Sequence, residues 1–206
     1  MTDLYVHYGC GFCAPEDWLN FDVSPTLRFE KIPLVGALYT KNATRFPANV
    51  RYGDIVRGLP VPDGSCRAVY SSHMLDYQSL EDGRKALRNT RRMLAPGGIF
   101  RLVVEDCRRF MQDYLADPSP DAAHRFMHGS GWGRVNARGP ASFIREFFGH
   151  PYRLWMWDFA SLSRELTEAG FDSIRLAEFG DCEDPRFASV EDKGRWDGAI
   201  GIECRV

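Results

Sequence analysis

Leu4-Tyr5-Val6-His7-Tyr8-Gly9-Cys10-Gly11, followed by Trp18-Leu19-Asn20-Phe21-Asp22, is the stretch from which the fold can be read. Leu4 to Tyr8 has the apolar and aromatic make-up of a buried strand, and Gly9 and Gly11 allow a sharp turn whose backbone stays open to a ligand. Trp18 to Asp22 reads as a second short strand closed by a carboxylate. Many doubly wound folds hold the two hydroxyls of a ribose with an acidic side chain at a strand tip beside a glycine turn, so the ligand suggested is a nucleoside. The same Gly-x-Gly is also the mark of an ordinary tight turn.

The spacing argues against a dinucleotide. Position 14 is Ala14, followed by Pro15, so the third glycine of G-x-G-x-x-G is missing. Gly11 and Asp22 are eleven positions apart, whereas the fingerprint leaves about 20, room for a whole helix. With no long helix aimed at a pyrophosphate, a cofactor without phosphates is favoured over NAD or FAD.

The chain has 206 residues, 44% hydrophobic and 26% charged, with a formal net charge of -2, which suits one soluble domain with a substantial core. No run approaches the roughly 20 apolar residues of a membrane span. Met1-Thr2-Asp3 lacks the basic and apolar regions of a secretory signal, so a cytoplasmic protein is expected. A pI of about 6.2 gives no electrostatic footprint for nucleic acid. Arg88, Arg91 and Arg92, the densest basic cluster, read as the solvated face of a helix.

Cys10-Gly11-Phe12-Cys13 is a C-x-x-C pair after a strand, as in thiol-disulfide oxidoreductases. Such a site needs a helix starting at its first cysteine to lower the thiol pKa, and Pro15 and the strand at Trp18 leave that helix little room. No second C-x-x-C completes a zinc set of about four ligands, so no metal is expected. Cys66, Cys107, Cys182 and Cys204 are scattered and read as buried free thiols.

Further along, Ser24 to Pro47 contains Pro25, Pro33, Gly36 and Pro47 and reads as a connector with one short helix near Leu34 to Tyr39. Asn49 to Ile55 gives a short strand ending in Gly53-Asp54, and Leu59 to Gly64 forces a loop. Cys66 to Ser71 is the next strand, with Ser72-His73-Met74-Leu75-Asp76-Tyr77 at its end, where open α/β sheets place ligand contacts. Ser79-Leu80-Glu81-Asp82 opens a helix whose Leu80, Leu87, Met93 and Leu94 face a sheet, and Pro96-Gly97-Gly98 is read as its stop. Ile99 to Glu105 is apolar except for Arg101, as a strand covered on both faces should be.

A helix is expected from Asp158 to Ala169, then strands from Ser173 to Phe179 and Ala199 to Val206, joined by a polar loop and antiparallel at the sheet's edge. The alternation indicates an α/β fold with a mainly parallel sheet. Asp117 to Trp157 breaks it with histidines, glycines and the aromatics Phe147, Phe148, Tyr152, Trp155 and Trp157. This segment reads either as core or as a lid over an acceptor pocket, within a single domain spanning 1–206.

In this order the motifs resemble the class I S-adenosylmethionine-dependent methyltransferases, in particular small bacterial proteins of the type 11 group. Val6 to Gly11 is similar to their Leu-x-Leu-Gly-Cys-Gly, and Asp17-Trp18-Leu19-Asn20-Phe21-Asp22 to their Gly-Trp-x-Asn-x-Asp. Gly53-Asp54 with Leu59-Pro60, Ser71 to Tyr77, Leu94 to Gly98 and Leu166 to Phe171 resemble their later motifs. The resemblance implies a doubly wound seven-stranded sheet of order 3-2-1-4-5-7-6, its last strand antiparallel, and S-adenosyl-L-methionine as cofactor. It places Gly9, Cys10 and Gly11 at the methionine part, Asp22 at the ribose, Asp54 and Ile55 at the adenine, and Ser71, Ser72 and His73 beside the transferable methyl. Two departures stand out: Asp76-Tyr77 replaces Glu-His, and the truncated first helix leaves the cofactor's amino-acid end less enclosed.

The activity implied is methyl transfer to a small-molecule acceptor, in which alignment supplies much of the rate. A base is needed only for an acidic hydroxyl or an ammonium, and His73 and His150 are the residues that could serve, ahead of His124 and His128. His73 reads more readily as a histidine holding its loop by hydrogen bonds than as a base. Two other functions stay open: a nucleoside-binding protein of the same fold without transfer, and the C-x-x-C oxidoreductase. No motif specifies the acceptor, and none indicates a nucleic-acid or membrane partner.

Overall fold

Within β1 (Leu4–Tyr8) the side chains alternate, Val6 and Tyr8 to one face and Tyr5 and His7 to the other, and both faces are buried. A strand buried on both sides belongs in the middle of a covered sheet. The computed structural model describes residues 3–34, 36, 44–133 and 152–206 and shows that sheet. Its other strands are β2 (Leu19–Asp22), β3 (Arg51–Tyr52), β4 (Cys66–Ser72), β5 (Leu94–Glu105), β6 (Asp172–Ala177) and β7 (Ala199–Arg205). The order is β3-β2-β1-β4-β5-β7-β6, as expected; β7 runs antiparallel to both β5 and β6, and the remaining pairings are parallel.

The described helices are α1 (Pro25–Glu30), α2 (Leu80–Met93), α3 (Cys107–Ala116), α4 (Ala122–Ser130), α5 (Phe159–Glu168) and α6 (Lys193–Trp196). None is long and apolar enough to cross a membrane. The expected helices at Ser79 and Asp158 start where the caps say, with Ser79 Oγ accepting the Asp82 N–H and Asp158 forming a reciprocal capping box with Ser161.

Several boundaries differ from the reading of the sequence. The connector after Ser24 contains α1, with Ser24 as its cap and Pro25 in its first turn, where a missing N–H costs nothing. The helix expected near Leu34 to Tyr39 falls mostly outside the described residues. α2 stops at Met93, so Pro96-Gly97-Gly98 lies inside β5. There Gly98 runs against the Cys66 carbonyl, which a Cβ would approach to 3.0 Å, and the β4–β5 register shifts between Cys66 and Ala68. The stretch from Asp117 is also not wholly irregular, since α4 occupies part of it, and α3 precedes it.

The two faces of the sheet are covered by different means. Val6, Tyr8, Phe21, Val69, Phe100, Leu102, Ile202 and Cys204 lie against Leu87 and Met93 of α2 and Leu162 and Leu166 of α5. On the other face Tyr5, Trp18, Ala68, Tyr70, Ile99 and Val103 meet Phe187, Val190 and Trp196, all from residues 178–198 between β6 and β7. The connection between β1 and β2 holds only turns, as its length predicts, and this β6–β7 arm covers the space above it. Tyr5 Oη donates to Asp184 Oδ2 at 2.7 Å, and the Arg186 guanidinium lies 4.3 Å from the Tyr5 ring centroid.

Arg101, the one charged residue inside the apolar run of β5, joins the arm to the sheet. Its guanidinium has no solvent exposure, pairs with Glu191, with Glu203 at 3.0 Å and with Asp181 at 2.8 Å, and donates to the Glu178 carbonyl at 2.6 Å. Glu203 stands opposite Arg101 in the β5–β7 ladder and opposite Arg175 in the β6–β7 ladder, so the charges alternate across three strands. The Arg101 guanidinium also lies 4.7 Å from the Trp196 ring centroid.

Replacing Arg101 by Met leaves the buried Glu191 without a cation and Glu203 with Arg175 as its near partner. We expect a loss of about 3 to 5 kcal/mol in urea unfolding, part of which returns when Glu191→Gln is added. The Asp181 carboxyl gives a second, pH-dependent expectation. Burial would raise its pKa, but hydrogen bonds from Arg175, the Glu178 N–H and Arg101 overcome this and hold it at about 2. A carboxyl with a folded pKa below its unfolded value stabilises the protein above the unfolded value and loses that contribution as the pH falls through the folded one. Asp181→Asn should cost about 1 to 2 kcal/mol at pH 7, after discounting for partial exposure, and the deficit should vanish between about pH 4 and pH 2. Urea midpoints of both proteins across that range would show it.

Candidate functional site

The five parallel strands bring their carboxyl ends to one rim, the edge at which open α/β sheets bind ligands, and the crossovers change direction at the crevice between β1 and β4. At that rim β1 turns through Gly9 and Gly11, with φ of +66° and +53°. A Cβ on Gly9 would lie 3.0 Å from Met74, whereas one on Gly11 would meet nothing within 4 Å, so backbone conformation sets the second glycine and leaves an open space beside it. The turn is fastened to β2: Cys10 N–H donates to the Phe21 carbonyl at 3.2 Å, and Gly11 N–H to Asp22 Oδ2 at 2.9 Å. The other oxygen of Asp22 accepts the Ser24 N–H at 2.8 Å.

Asp22 is therefore a clamp on its own turn. Each carboxylate oxygen can accept a second hydrogen bond, so the half-buried carboxylate keeps capacity for two hydroxyls while its orientation is already fixed. Gly53 N–H donates to the Asp22 carbonyl at 3.1 Å, which brings Asp54 to the neighbouring strand end. Asp54 Oδ1 accepts the Val56 N–H at 2.9 Å. Ile55 is placed differently from Asp54: its side chain is in the main core and its carbonyl accepts from Asn89 at 2.7 Å.

Ser71 and Ser72 are buried at the end of β4, and His73 follows with a φ of +50°, uncommon for a residue other than glycine. His73 N–H donates to the Val103 carbonyl at 2.8 Å, and its Nε2 lies 2.7 Å from the Arg195 carbonyl. A carbonyl only accepts, so Nε2 carries a proton and Nδ1 faces Glu105 Oε1 at 3.4 Å and Asp76 Oδ2 at 3.7 Å. Asp76 is fully buried, with neither carboxylate oxygen hydrogen-bonded among the described residues, and Glu105 pairs with Arg153. His73 thus ties its loop to the β6–β7 arm. His150, the other histidine singled out in the sequence, lies outside the described residues, as do residues 134–151 of the stretch expected to form a lid. Of that stretch Trp157 is core and Trp155 is exposed.

The arm also supplies a group that the sequence reading did not pick out. Arg195 Nε donates to Ser72 Oγ at 3.0 Å and Nη2 to the Ser72 carbonyl at 3.2 Å. Its charge reaches across the β1–β4 crevice. Burial, and after it the Arg195 guanidinium, hold the His7 imidazole down at about 3, against a hydrogen bond with the Cys13 backbone that favours the cation. A signal existed in the sequence: Phe187, Val190 and Trp196 are large apolar residues in a long polar loop, which marks a loop packed on something.

The C-x-x-C pair lacks what redox chemistry needs. Turns, and no helix, follow Cys10, and all six cysteines are free. Burial raises the Cys10 thiol, helped by the neighbouring Asp22 carboxylate, and burial also raises Cys13, against the opposing pull of Arg195. Cys13 Sγ is directed to the carbonyls of Ser189 and Val190 in the arm. His124 and His128 form an H-x-x-x-H pair on the exposed side of α4, overlooked in the sequence, and among the described residues no third ligand joins them. A cavity of about 450 Å³ bordered by Glu16, Leu19, Lys31 and Val50 lies at the amino ends of β2 and β3, away from the rim.

Residues 6–102 match a family model described as a methyltransferase domain. Among solved structures, a chain of a Haloferax volcanii complex containing the Trm112 methyltransferase activator is 16% identical over 98% of this chain and 82% of its own, with a TM-score of 0.52. A SAM-dependent methyltransferase from Thermotoga maritima is 15% identical over 100% of this chain and 83% of its own, with a TM-score of 0.51. PigF with SAH is 13% identical over 98% of this chain and 50% of its own, with a TM-score of 0.50. No curated protein matches.

With both thiols raised by burial, Cys10 and Cys13 should be alkylated by iodoacetamide at pH 7 more slowly than free cysteine, as read by mass spectrometry. Fast labelling of either one at neutral pH would restore the redox reading.

Proposed function

We propose that this chain, whose fold is that of the class I methyltransferases and whose residues 6–102 match the methyltransferase-domain family, binds S-adenosylmethionine along the rim of β1, β2 and β4 and methylates a small-molecule acceptor. The observation that carries the reading is the left-handed Gly9–Gly11 turn clamped to Asp22 beside the β1–β4 crevice, in a sheet of this order. That turn presents backbone where the amino-acid part of the cofactor would lie, and Asp22 presents a pre-aimed carboxylate to the ribose. Asp54, on the next strand, stands on the adenine side, with the Ile55 backbone beside it. PigF, of the same fold, was solved with SAH.

When bound, the cofactor supplies an electrophilic methyl on a sulfonium with a good leaving group. The chain's contribution is then chiefly alignment. Ser71 and Ser72 form the floor at the end of β4, and Arg195 and the His73 ring hold that floor in place. His73 is a positioning residue, because its Nε2 proton is committed to the Arg195 carbonyl. Where an acceptor needs a base, His150 is the next histidine the sequence offers, ahead of His124 and His128.

One observation favours the alternative of a protein that binds the nucleoside without transfer: neither ring nitrogen of His73 faces an open site. Formation of S-adenosylhomocysteine across an acceptor library separates the two.

Titration calorimetry should show binding of S-adenosylmethionine and S-adenosylhomocysteine to the wild-type protein. Asp22→Asn should weaken both by roughly 10- to 100-fold, since a carboxylate accepting a hydroxyl is worth about 1.5 to 3 kcal/mol. Unchanged affinity would remove Asp22 from the site, and no binding by the wild-type protein would remove the cofactor.

A further inference from the structure

Arg195 is placed for a ligand more than for the fold. Its guanidinium is fixed at one side by Ser72 Oγ and the Ser72 carbonyl, and no carboxylate lies within 4.0 Å of it among the described residues. Arg101 and Arg175, which join the same arm to the sheet, are each held by two or more carboxylates. A guanidinium has five N–H donors, and two on Ser72 leave the others without a partner among the described residues. They sit at the carboxyl end of β4, on the arm whose Ser189 and Val190 carbonyls meet Cys13 Sγ, and so beside the Gly9–Gly11 turn.

The rest of the rim is acidic. Asp22 and Asp54 end β2 and follow β3, and Asp76 and Glu105 lie behind His73. Anionic groups are repelled there unless they meet a cation, and Arg153, the other described guanidinium in the cluster, is taken by Glu105. S-adenosylmethionine carries one carboxylate, at the end of its amino-acid arm away from the ribose. With the ribose at Asp22, that arm crosses the β1 turn towards β4, two strand spacings or about 10 Å away. The short β1–β2 connection offers no helix N-terminus at this end.

We infer that Arg195 receives the α-carboxylate of the cofactor, so that the β6–β7 arm closes the amino-acid end of the site that the truncated first helix leaves open. The assignment rests on the S-adenosylmethionine reading above. It makes Arg195 a binding residue with a planar fork suited to a bidentate carboxylate, and Ser72 the group that aims it.

The test is calorimetry with three ligands: S-adenosylmethionine, S-adenosylhomocysteine and decarboxylated S-adenosylmethionine, which lacks only the carboxylate. The wild-type protein should bind the decarboxylated ligand about 10- to 100-fold more weakly than S-adenosylmethionine. Arg195→Gln should weaken the two carboxylate ligands by the same factor and leave the decarboxylated one within about twofold, and Arg195→Lys should recover part of the loss. Equal weakening of all three ligands by Arg195→Gln would mean that the arm has moved, and unchanged binding of all three would mean that the guanidinium is not in the site; either result overturns the assignment. Should the wild-type protein bind none of the three, the cofactor reading itself fails and Arg195 with it.

Discussion

The buried guanidinium of Arg101 is the contact on which the arrangement of the rim depends. It sits in the centre of β5 and gathers Glu203 from β7 with Asp181, Glu191 and the Glu178 carbonyl from the β6–β7 arm. Burying a charge is costly, so such a group holds only where its partners are close and its hydrogen bonds are made. The same requirement fixes the path of the arm, because partners drawn from three places in it must reach one side chain. Trp196, stacked near that guanidinium, is the neighbour of Arg195 in sequence. The orientation of Arg195 at the carboxyl end of β4 is therefore set from the middle of the sheet.

This division of labour accounts for the brevity of the link between β1 and β2. A connection of that length cannot form the helix that in doubly wound folds covers the adjoining face. Tyr5, Trp18 and Tyr70 would then lie open to water. Phe187, Val190 and Trp196 cover them instead, edge-on in the contacts of Phe187 with Trp18 and Tyr70. The hydrogen bonds from Cys13 Sγ to the Ser189 and Val190 carbonyls bring the same cover to the glycine turn. The C-x-x-C pair thus finds a role in packing, with its second sulfur as the point where turn and arm meet.

The strand order came from the resemblance, whereas the strands themselves and the glycine turn were legible because they rest on local rules: alternation along β1, positive φ at Gly9 and Gly11, caps at Ser79 and Asp158. α1 was missed because Pro25 was read as a break, although proline is at home in a first helical turn. The clamping role of Asp22 was hidden for another reason. A carboxylate that clamps its own turn and one that waits for a ligand have the same sequence, and only the backbone N–H groups of Gly11 and Ser24 distinguish them. The arm was the largest omission, since Arg101, Glu191 and Glu203 are remote in sequence and no periodicity links them. Arg195 inherits that difficulty, being meaningful only after the arm has been folded over β4.

The hydrogen bond between Tyr5 and Asp184 joins residues 179 positions apart. At synthesis rates of about 5 to 20 residues per second, roughly 10 to 40 s pass between the appearance of the first partner and that of the second. Once α2 has been made, β1 can pair with β2 and β4 and accept α2 on one side, while its opposite side has no cover of its own. Until the arm is made, the nascent chain carries an aromatic surface of Tyr5, Trp18 and, once it is synthesised, Tyr70. The protein's exposure to aggregation is thus decided by the delay before the arm arrives.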